Sequence, residues 1–235
     1  MGCSSGPDVV EDGLVLCLDA ASKRSYSGSG TTWIDTVGGN NGTLTNGPTF
    51  SSANGGGIVF DGTDDNMSLN NMSDYQLLTS DYISIDIWFK SDSFAGFSRK
   101  YLFENRESTS KTTNPFALFV DRTSDTTGNL KVFISRDVTI KSGINSGVVY
   151  NVSYSIDTTN SSNNVVAYVN GSKVLTTYYN VNGTVNTSNY MYLSRAYPTT
   201  NYIWDGPIYR FSMYDKILTA DEVRKNYLST KERYQ

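Results

Sequence analysis

Ile83-Ser84-Ile85-Asp86-Ile87-Trp88-Phe89-Lys90 decides the fold. Ile83, Ile85, Ile87 and Phe89 fall on one face of an extended chain, and Ser84, Asp86, Trp88 and Lys90 on the other. A period of two is that of a strand with one face in a core, whereas a helix repeats its apolar face every three to four residues. The signature recurs on both sides of this stretch. Upstream, Leu14, Leu16 and Leu18 share a face, and Ile58-Val59-Phe60 makes a run closed by Asp61-Gly62. Downstream, Leu130, Val132 and Ile134 alternate, as do Tyr150, Val152, Tyr154 and Ile156. Further runs lie at Tyr190–Leu193 and Ile208–Met213. Asn170-Gly171 joins Val165–Val169 to Lys173–Leu175 as a hairpin, because Asn and Gly tolerate the positive φ of the turn that matches strand twist.

One segment reads as a helix. Thr219-Ala220-Asp221-Glu222 is a capping box, with Leu218 and Val223 placed as its hydrophobic staple. Val223, Tyr227 and Leu228 form the apolar stripe of a helix of about two to three turns. The expected fold class is all-β: a two-sheet antiparallel jelly-roll sandwich with a short C-terminal helix. Residues 1–12, polar and rich in Gly, Ser and Asp, are expected as an N-terminal arm, and residues 13–235 as one domain.

Composition supports this reading and removes several functions. Seventeen Tyr and ten Phe suit pleated, half-buried surfaces, and 20 Gly supply turns. A net charge of −4 speaks against nucleic acid as a partner. No stretch reaches the roughly 20 apolar residues of a membrane span, so no membrane insertion is expected. The chain has no His, which removes the commonest metal ligand and acid–base residue. Gly6 stands where a myristoylation signal needs Ser or Thr, and no apolar run of a secretory signal precedes Leu14. Without an export signal, Cys3 and Cys17 are expected as free thiols, Cys17 as a small hydrophobe inside its apolar run.

Several segments, in order, resemble the laminin-G-like jelly rolls of the concanavalin A-like lectin/glucanase superfamily. They are Asp12–Ala20, Thr32-Trp33-Ile34-Asp35 with Asn40–Leu44, Ile58–Asp65 with its Phe-Asp-Gly and paired Asp, Ile83–Lys90, the Tyr168–Gly171 hairpin, and Ile217–Val223. The resemblance covers residues 12–230 and implies two antiparallel sheets with loops that present a ligand at the rim. The whole pattern is also similar to structural proteins of tailed bacteriophages, especially marine ones. A virion protein is assembled inside a cell and released by lysis, which reconciles an extracellular family with the missing export signal.

The glucanases of this superfamily carry Glu-x-Asp-x-x-Glu on one strand, since glycoside hydrolysis needs two carboxyl groups at a defined separation. None of Glu11, Glu104, Glu107, Glu222 and Glu232 sits in that pattern. Glu104-Asn105-Arg106-Glu107 reads as a solvated loop, and no catalytic residue is expected. Asp61, Asp64 and Asp65 are the densest acidic group. They can supply oxygens to calcium, but Asp61-Gly62 also makes a turn whose carboxylates bond their own backbone; no metal or cofactor is assigned. Asn-x-Thr triplets such as Asn41-Gly42-Thr43 and Asn182-Gly183-Thr184 follow from composition. Arg195, Tyr197, Tyr202 and Trp204 form an aromatic and cationic loop cluster and are the ligand-binding candidates.

These observations lead to one expectation: a non-enzymatic virion surface protein of a tailed phage, a capsid or tail decoration module that contacts host-surface glycans. Its partners are other virion proteins and host-surface glycans, and a homo-oligomer is compatible with it. The alternative is a free carbohydrate-binding lectin, or a glycanase of the same fold with an unrecognised site.

Overall fold

The computed structural model describes residues 9–69, 82–105, 116–134, 136–160, 162, 164–178, 191–196 and 202–235. In chain order the strands are β1 (Leu14–Asp19), β2 (Thr32–Trp33), β3 (Gly42–Thr45), β4 (Thr49–Ser51), β5 (Gly57–Asp61), β6 (Asn66–Leu69), β7 (Tyr82–Lys90) and β8 (Arg99–Asn105). They continue as β9 (Phe116–Arg122), β10 (Thr127–Ile134), β11 (Arg136–Asn145), β12 (Val149–Asp157), β13 (Val165–Val169), β14 (Ser172–Thr177), β15 (Met191–Leu193) and β16 (Asp205–Tyr214). Helix α1 (Ala220–Tyr234) follows. The first sheet runs β14-β13-β12-β7-β16-β5-β4, with β1 also paired to β16, and the second β11-β10-β9-β8-β15-β6-β3-β2. Every pairing is antiparallel. This is the expected two-sheet sandwich.

The period of two does the work. In the first sheet Val169, Val152, Ile87, Phe211 and Leu18 stand in one cross-strand row and enter the shared core. Leu118, Val120, Leu130 and Val132 meet them from the second sheet. Phe103 bridges the two, its ring 5.3 Å from Phe211 edge-on and 6.1 Å from Tyr154 in a stack. Asn170 and Gly171 both have positive φ, +50° and +71°, as the hairpin turn requires. Leu14 departs from expectation. A bulge between Leu14 and Leu16 turns Leu14 out of the core and into a second cluster with Val9, Val10, Cys17, Tyr214, Leu218 and Val223.

Val9 and Val10 correct the expected boundary of the arm. Both are buried, and the Val10 N–H donates to Asn226 Oδ1 at 2.8 Å, so the chain is docked from residue 9. Residues 1–8 lie outside the described residues. Cys17 corrects the expectation of free thiols: it is disulfide-bonded. The sequence holds one other cysteine, Cys3, outside the described residues.

Helix α1 is longer than expected, 15 residues, and starts on the capping box. The Glu222 N–H donates to Thr219 Oγ1 at 3.3 Å, and the Thr219 N–H returns to Glu222 Oε2 at 2.9 Å. Lys216 then joins Glu222 Oε1 to Asp12 at 2.7 and 2.6 Å. Thr219→Ala is expected to cost about 0.5–2 kcal/mol in urea unfolding; an unchanged midpoint would show that the cap contributes nothing. The buried face is Val223, Asn226, Thr230 and Tyr234, while Leu228 is exposed, contrary to its place in the expected stripe.

That face is half polar because it covers a polar layer on the outer side of the first sheet. Asp19, Asp86 and Arg210 are each 1% exposed there. Asp86 accepts from Ser153 Oγ and from Asn151 Nδ2, and burial pushes its carboxyl up against the pull of Arg210 and these bonds. Asp19 accepts from Arg233 Nη1 at 2.7 Å and Tyr234 Oη at 2.9 Å, which ties down the end of the helix. Trp88 lies beneath it, stacked on Tyr227 at 5.6 Å and tilted against Tyr234 at 5.1 Å.

Burial pushes the Tyr209 and Tyr214 phenols up to about 12, and Tyr234 higher still. A phenol whose folded pKa exceeds its unfolded value near 10 stabilises the fold fully below pH ~10 and progressively less as pH climbs toward 12. The urea midpoint is therefore expected to fall between about pH 9 and pH 11.5, with phenolate absorbance appearing together with unfolding. Early ionisation of these three tyrosines in the folded protein would contradict their burial. Among the described residues no helix is long and apolar enough to cross a membrane.

Candidate functional site

The outer face of the second sheet is built differently. The inward assignments of Leu118, Val120, Leu130 and Val132 force Ala117, Phe119, Asp121, Lys131 and Phe133 outward. Register extends this into a row across all eight strands: Asp137, Phe133, Ala117, Glu104, Tyr192, Ser68, Thr43 and Thr32. One row away, Lys131, Phe119 and Tyr101 stand side by side.

The rings make a platform in which Phe119 and Tyr101 are buried, while the half-buried Tyr202 and the exposed Phe97 reach the surface. Tyr101 stacks on Phe119 at 5.0 Å and meets Tyr202 at 6.0 Å, and Tyr202 meets Phe97 edge-on at 6.0 Å. The Arg99 guanidinium lies 4.8 Å over the Phe119 ring. Charges frame the platform in pairs. Arg99 forms ion pairs with Asp121 at 2.9 Å and Asp137 at 2.5 Å, and Lys131 also pairs with Asp121. Burial works against the Arg99 charge, but Asp137 and Asp121 outweigh it and hold its pKa above the ordinary value. Aromatic faces flanked by fixed donors and acceptors are the chemistry by which a protein holds a sugar ring, apolar on its C–H face and polar at its edge.

Of the four candidates from the sequence, Arg195 and Tyr202 join this face. Arg195 stands two residues after the end of β15, half-buried, with its guanidinium 5.4 Å over the Tyr192 ring. Tyr202 is half-buried in the platform. Tyr197 lies outside the described residues. Trp204 is no surface group: it is fully buried in the core, edge-on to Phe89 at 5.4 Å and to Phe94 at 6.4 Å. Ser194 locks this corner, accepting from the Trp204 N–H at 3.2 Å and donating its own N–H to Leu102 O at 3.0 Å. Ser194 and Tyr202 both hold positive φ, +64° and +73°, a backbone strain kept where the surroundings fix it.

Glu104 also departs from expectation. It is no solvated loop residue but the sixth residue of β8, 1% exposed, between Ala117 and Tyr192. Arg106 and Glu107 lie outside the described residues. Asp61, Asp64 and Asp65 do converge, with carboxylate oxygens within 4.8 Å of one another. Two of them hold their own turn: Asp65 accepts from the Asp61 N–H at 3.1 Å, and Asp61 from the Thr63 N–H at 2.8 Å. Burial, with the Asp61 and Asp64 charges, raises the Asp65 carboxyl. Beyond them Lys100, buried and lowered by that burial, stands 3.7 Å from Asp205.

Sequence reasoning missed Arg99, Tyr101, Phe119, Phe133 and Tyr192. Their signal was present as pairs two apart, Arg99 with Tyr101, Phe119 with Asp121, and Lys131 with Phe133. It emerges only once the inward partners are assigned.

An antiparallel sandwich with one sheet face left to aromatic and charged side chains is a lectin-type architecture. The chain belongs to the concanavalin A-like lectin/glucanases superfamily, whose Laminin_G_3 family model matches residues 61–224. No curated protein sequence matches it. Among solved structures, Trypanosoma rangeli sialidase superposes with a TM-score of 0.72 at 14% identity over 96% of this chain, which spans 34% of the sialidase. Domain 4 of AbnA, a GH43 extracellular arabinanase from Geobacillus stearothermophilus, solved in complex with arabinotriose, gives a TM-score of 0.65 at 15% identity, covering 96% of this chain and 100% of that one. The binding domain of botulinum neurotoxin DC, in complex with rat synaptotagmin II, gives 0.62 at 12% identity, covering 93% and 52%. At these identities the likeness is one of fold.

Proposed function

We propose that this chain is a non-catalytic binding module that holds a glycan against the outward face of its second sheet, as a surface protein of a tailed-phage capsid or tail. The observation that carries the binding reading is the asymmetry of the two outer faces. Helix α1 covers the polar layer of the first sheet, whereas the second presents the half-buried rings of Tyr202, Phe133 and Tyr192 among fixed charges. The wholly matched arabinanase domain, solved with arabinotriose, supports the same reading. The virion setting rests on the sequence resemblance to tailed-phage structural proteins. The disulfide at Cys17 suits it, because disulfides persist outside reducing cytosol. Other virion proteins are then its standing partners and host-surface glycans its target.

The test couples an oligosaccharide array to a mass-spectrometric inventory of purified particles. The chain is expected to bind glycans without shortening them and to occur in particles in fixed ratio to the capsid protein. Tyr202→Ala should weaken glycan binding about tenfold, the equivalent of ~1.4 kcal/mol. Release of reducing ends, abolished by Glu104→Gln, would make the protein a glycanase instead. Glycan binding without particle association would leave a free lectin.

A further inference from the structure

We infer that the glycan is acidic, and that Arg195 receives its carboxylate or sulfate group while Tyr202 faces the sugar ring. The inference rests on the outward-face reading above and adds the ligand's chemical class. The other buried or half-buried cations at this end of the face are spoken for: Arg99 by Asp121 and Asp137, Lys131 by Asp121, and Lys100 by Asp205. Arg195 differs. Among the described residues no carboxylate lies within ion-pair distance of it, and its guanidinium lies over the Tyr192 ring. Its Nε is buried without a hydrogen-bond partner. A buried guanidinium donor left without an acceptor carries a desolvation cost that an arriving oxyanion removes.

The position is also preset. Ser194, bonded to Leu102 and Trp204 and held at positive φ, fixes the backbone one residue before Arg195. Stacking on Tyr192 limits the rotation of the planar fork. Ala196, next in the chain, packs into the Tyr101, Ala117 and Phe119 cluster. Arg195 thus borders the ring platform instead of reaching into open solvent. Glu104, the carboxylate nearest in register through Tyr192, is 1% exposed and has its own partner, so it does not repel an anion at the surface. A planar five-donor fork beside an aromatic platform matches an oxyanion fixed to a pyranose.

The test is calorimetric titration of the full chain with four probes: alginate oligomers carrying carboxylates, neutral mannan oligomers, sulfated dextran and plain dextran. Binding to at least one acidic probe is expected at tenfold or more over its neutral counterpart, and the two acidic arms tell carboxylate from sulfate. R195Q should lose at least tenfold on that probe. R195K should recover only part, since a point charge replaces a fork. R224Q, on the exposed side of α1, should lose less than twofold and controls for diffuse polyanion attraction. Equal binding of a neutral probe, sensitive to Tyr202→Ala but not to R195Q, would overturn the acidic ligand and leave the glycan reading standing. Equal losses in R195Q and R224Q would also overturn it. Binding to none of the four, or to any arrayed glycan, would overturn both.

Discussion

Asp19→Ala is expected to destabilise the protein by about 3–5 kcal/mol in urea or thermal unfolding, the loss seen when one partner of a buried charged pair is removed. Asp19 is 1% exposed and accepts from Arg233, the Tyr234 hydroxyl and the Ala21 N–H. Its register partner Arg210 is also 1% exposed, with Nε and Nη2 already lacking partners. Taking away the carboxylate leaves two guanidinium groups and a phenol in a layer that water barely reaches. Arg233→Ala should cost distinctly less, because the Arg233 side chain is 23% exposed and its loss leaves Asp19 with two other donors. Equal costs for the two variants would show that α1 is held by its apolar contacts and not through Asp19.

Trp204→Ala is expected to cost a similar 3–5 kcal/mol, the range for emptying a large aromatic site in a core. For a domain of this size that lowers Tm by about 6–20 °C. Its ring is enclosed by Phe89 and Phe94, and its Nε1 has no hydrogen-bond partner, so the loss is one of packing. Trp204→Phe should therefore restore most of the stability. A small Tm change in Trp204→Ala would mean that the site collapses or that the indole is not enclosed. Lost glycan binding in this variant reports on the fold, which makes Tyr202→Ala the informative change for the surface.

The first sheet was largely legible in the sequence and the second only in part, through β10 and β15, for a physical reason. In β7 and β12 the inward residues are aliphatic or aromatic, and the outward ones include Ser84, Asp86, Asn151 and Ser153, so the alternation survives burial of both faces. In β8 and β9 the outward residues include Tyr101 and Phe119, as apolar as Leu102 and Leu118, and the period disappears. The bulge between Tyr101 and Phe103 erases what remains. The candidate site suffered most, because a ring platform on a sheet surface is what destroys the pattern by which the sheet is found. Trp204 misled for the opposite reason: it sits in a polar, turn-rich stretch, yet the bonds of Ser194 fold that stretch over the end of the core. The capping box at Thr219 needed no tertiary context and was read correctly, while Leu228 fell off the buried stripe because Asn226, bonded to the Tyr214 hydroxyl, and Thr230, bonded back to the Asn226 carbonyl, take the buried face.

The docking of Val10 onto Asn226 has a practical corollary. Val9 and the last turn of α1, with Tyr234 on Trp88, both sit against the outer side of the first sheet. Whatever is joined after the last turn of α1, be it an affinity tag, a biotin or a carrier, attaches from that side. A sensor chip that captures the protein by its C-terminus will hold it like a dish on a stem, with the ring platform turned outward. Coupling at random through surface lysines mixes orientations and, through Lys131, blocks part of the platform itself.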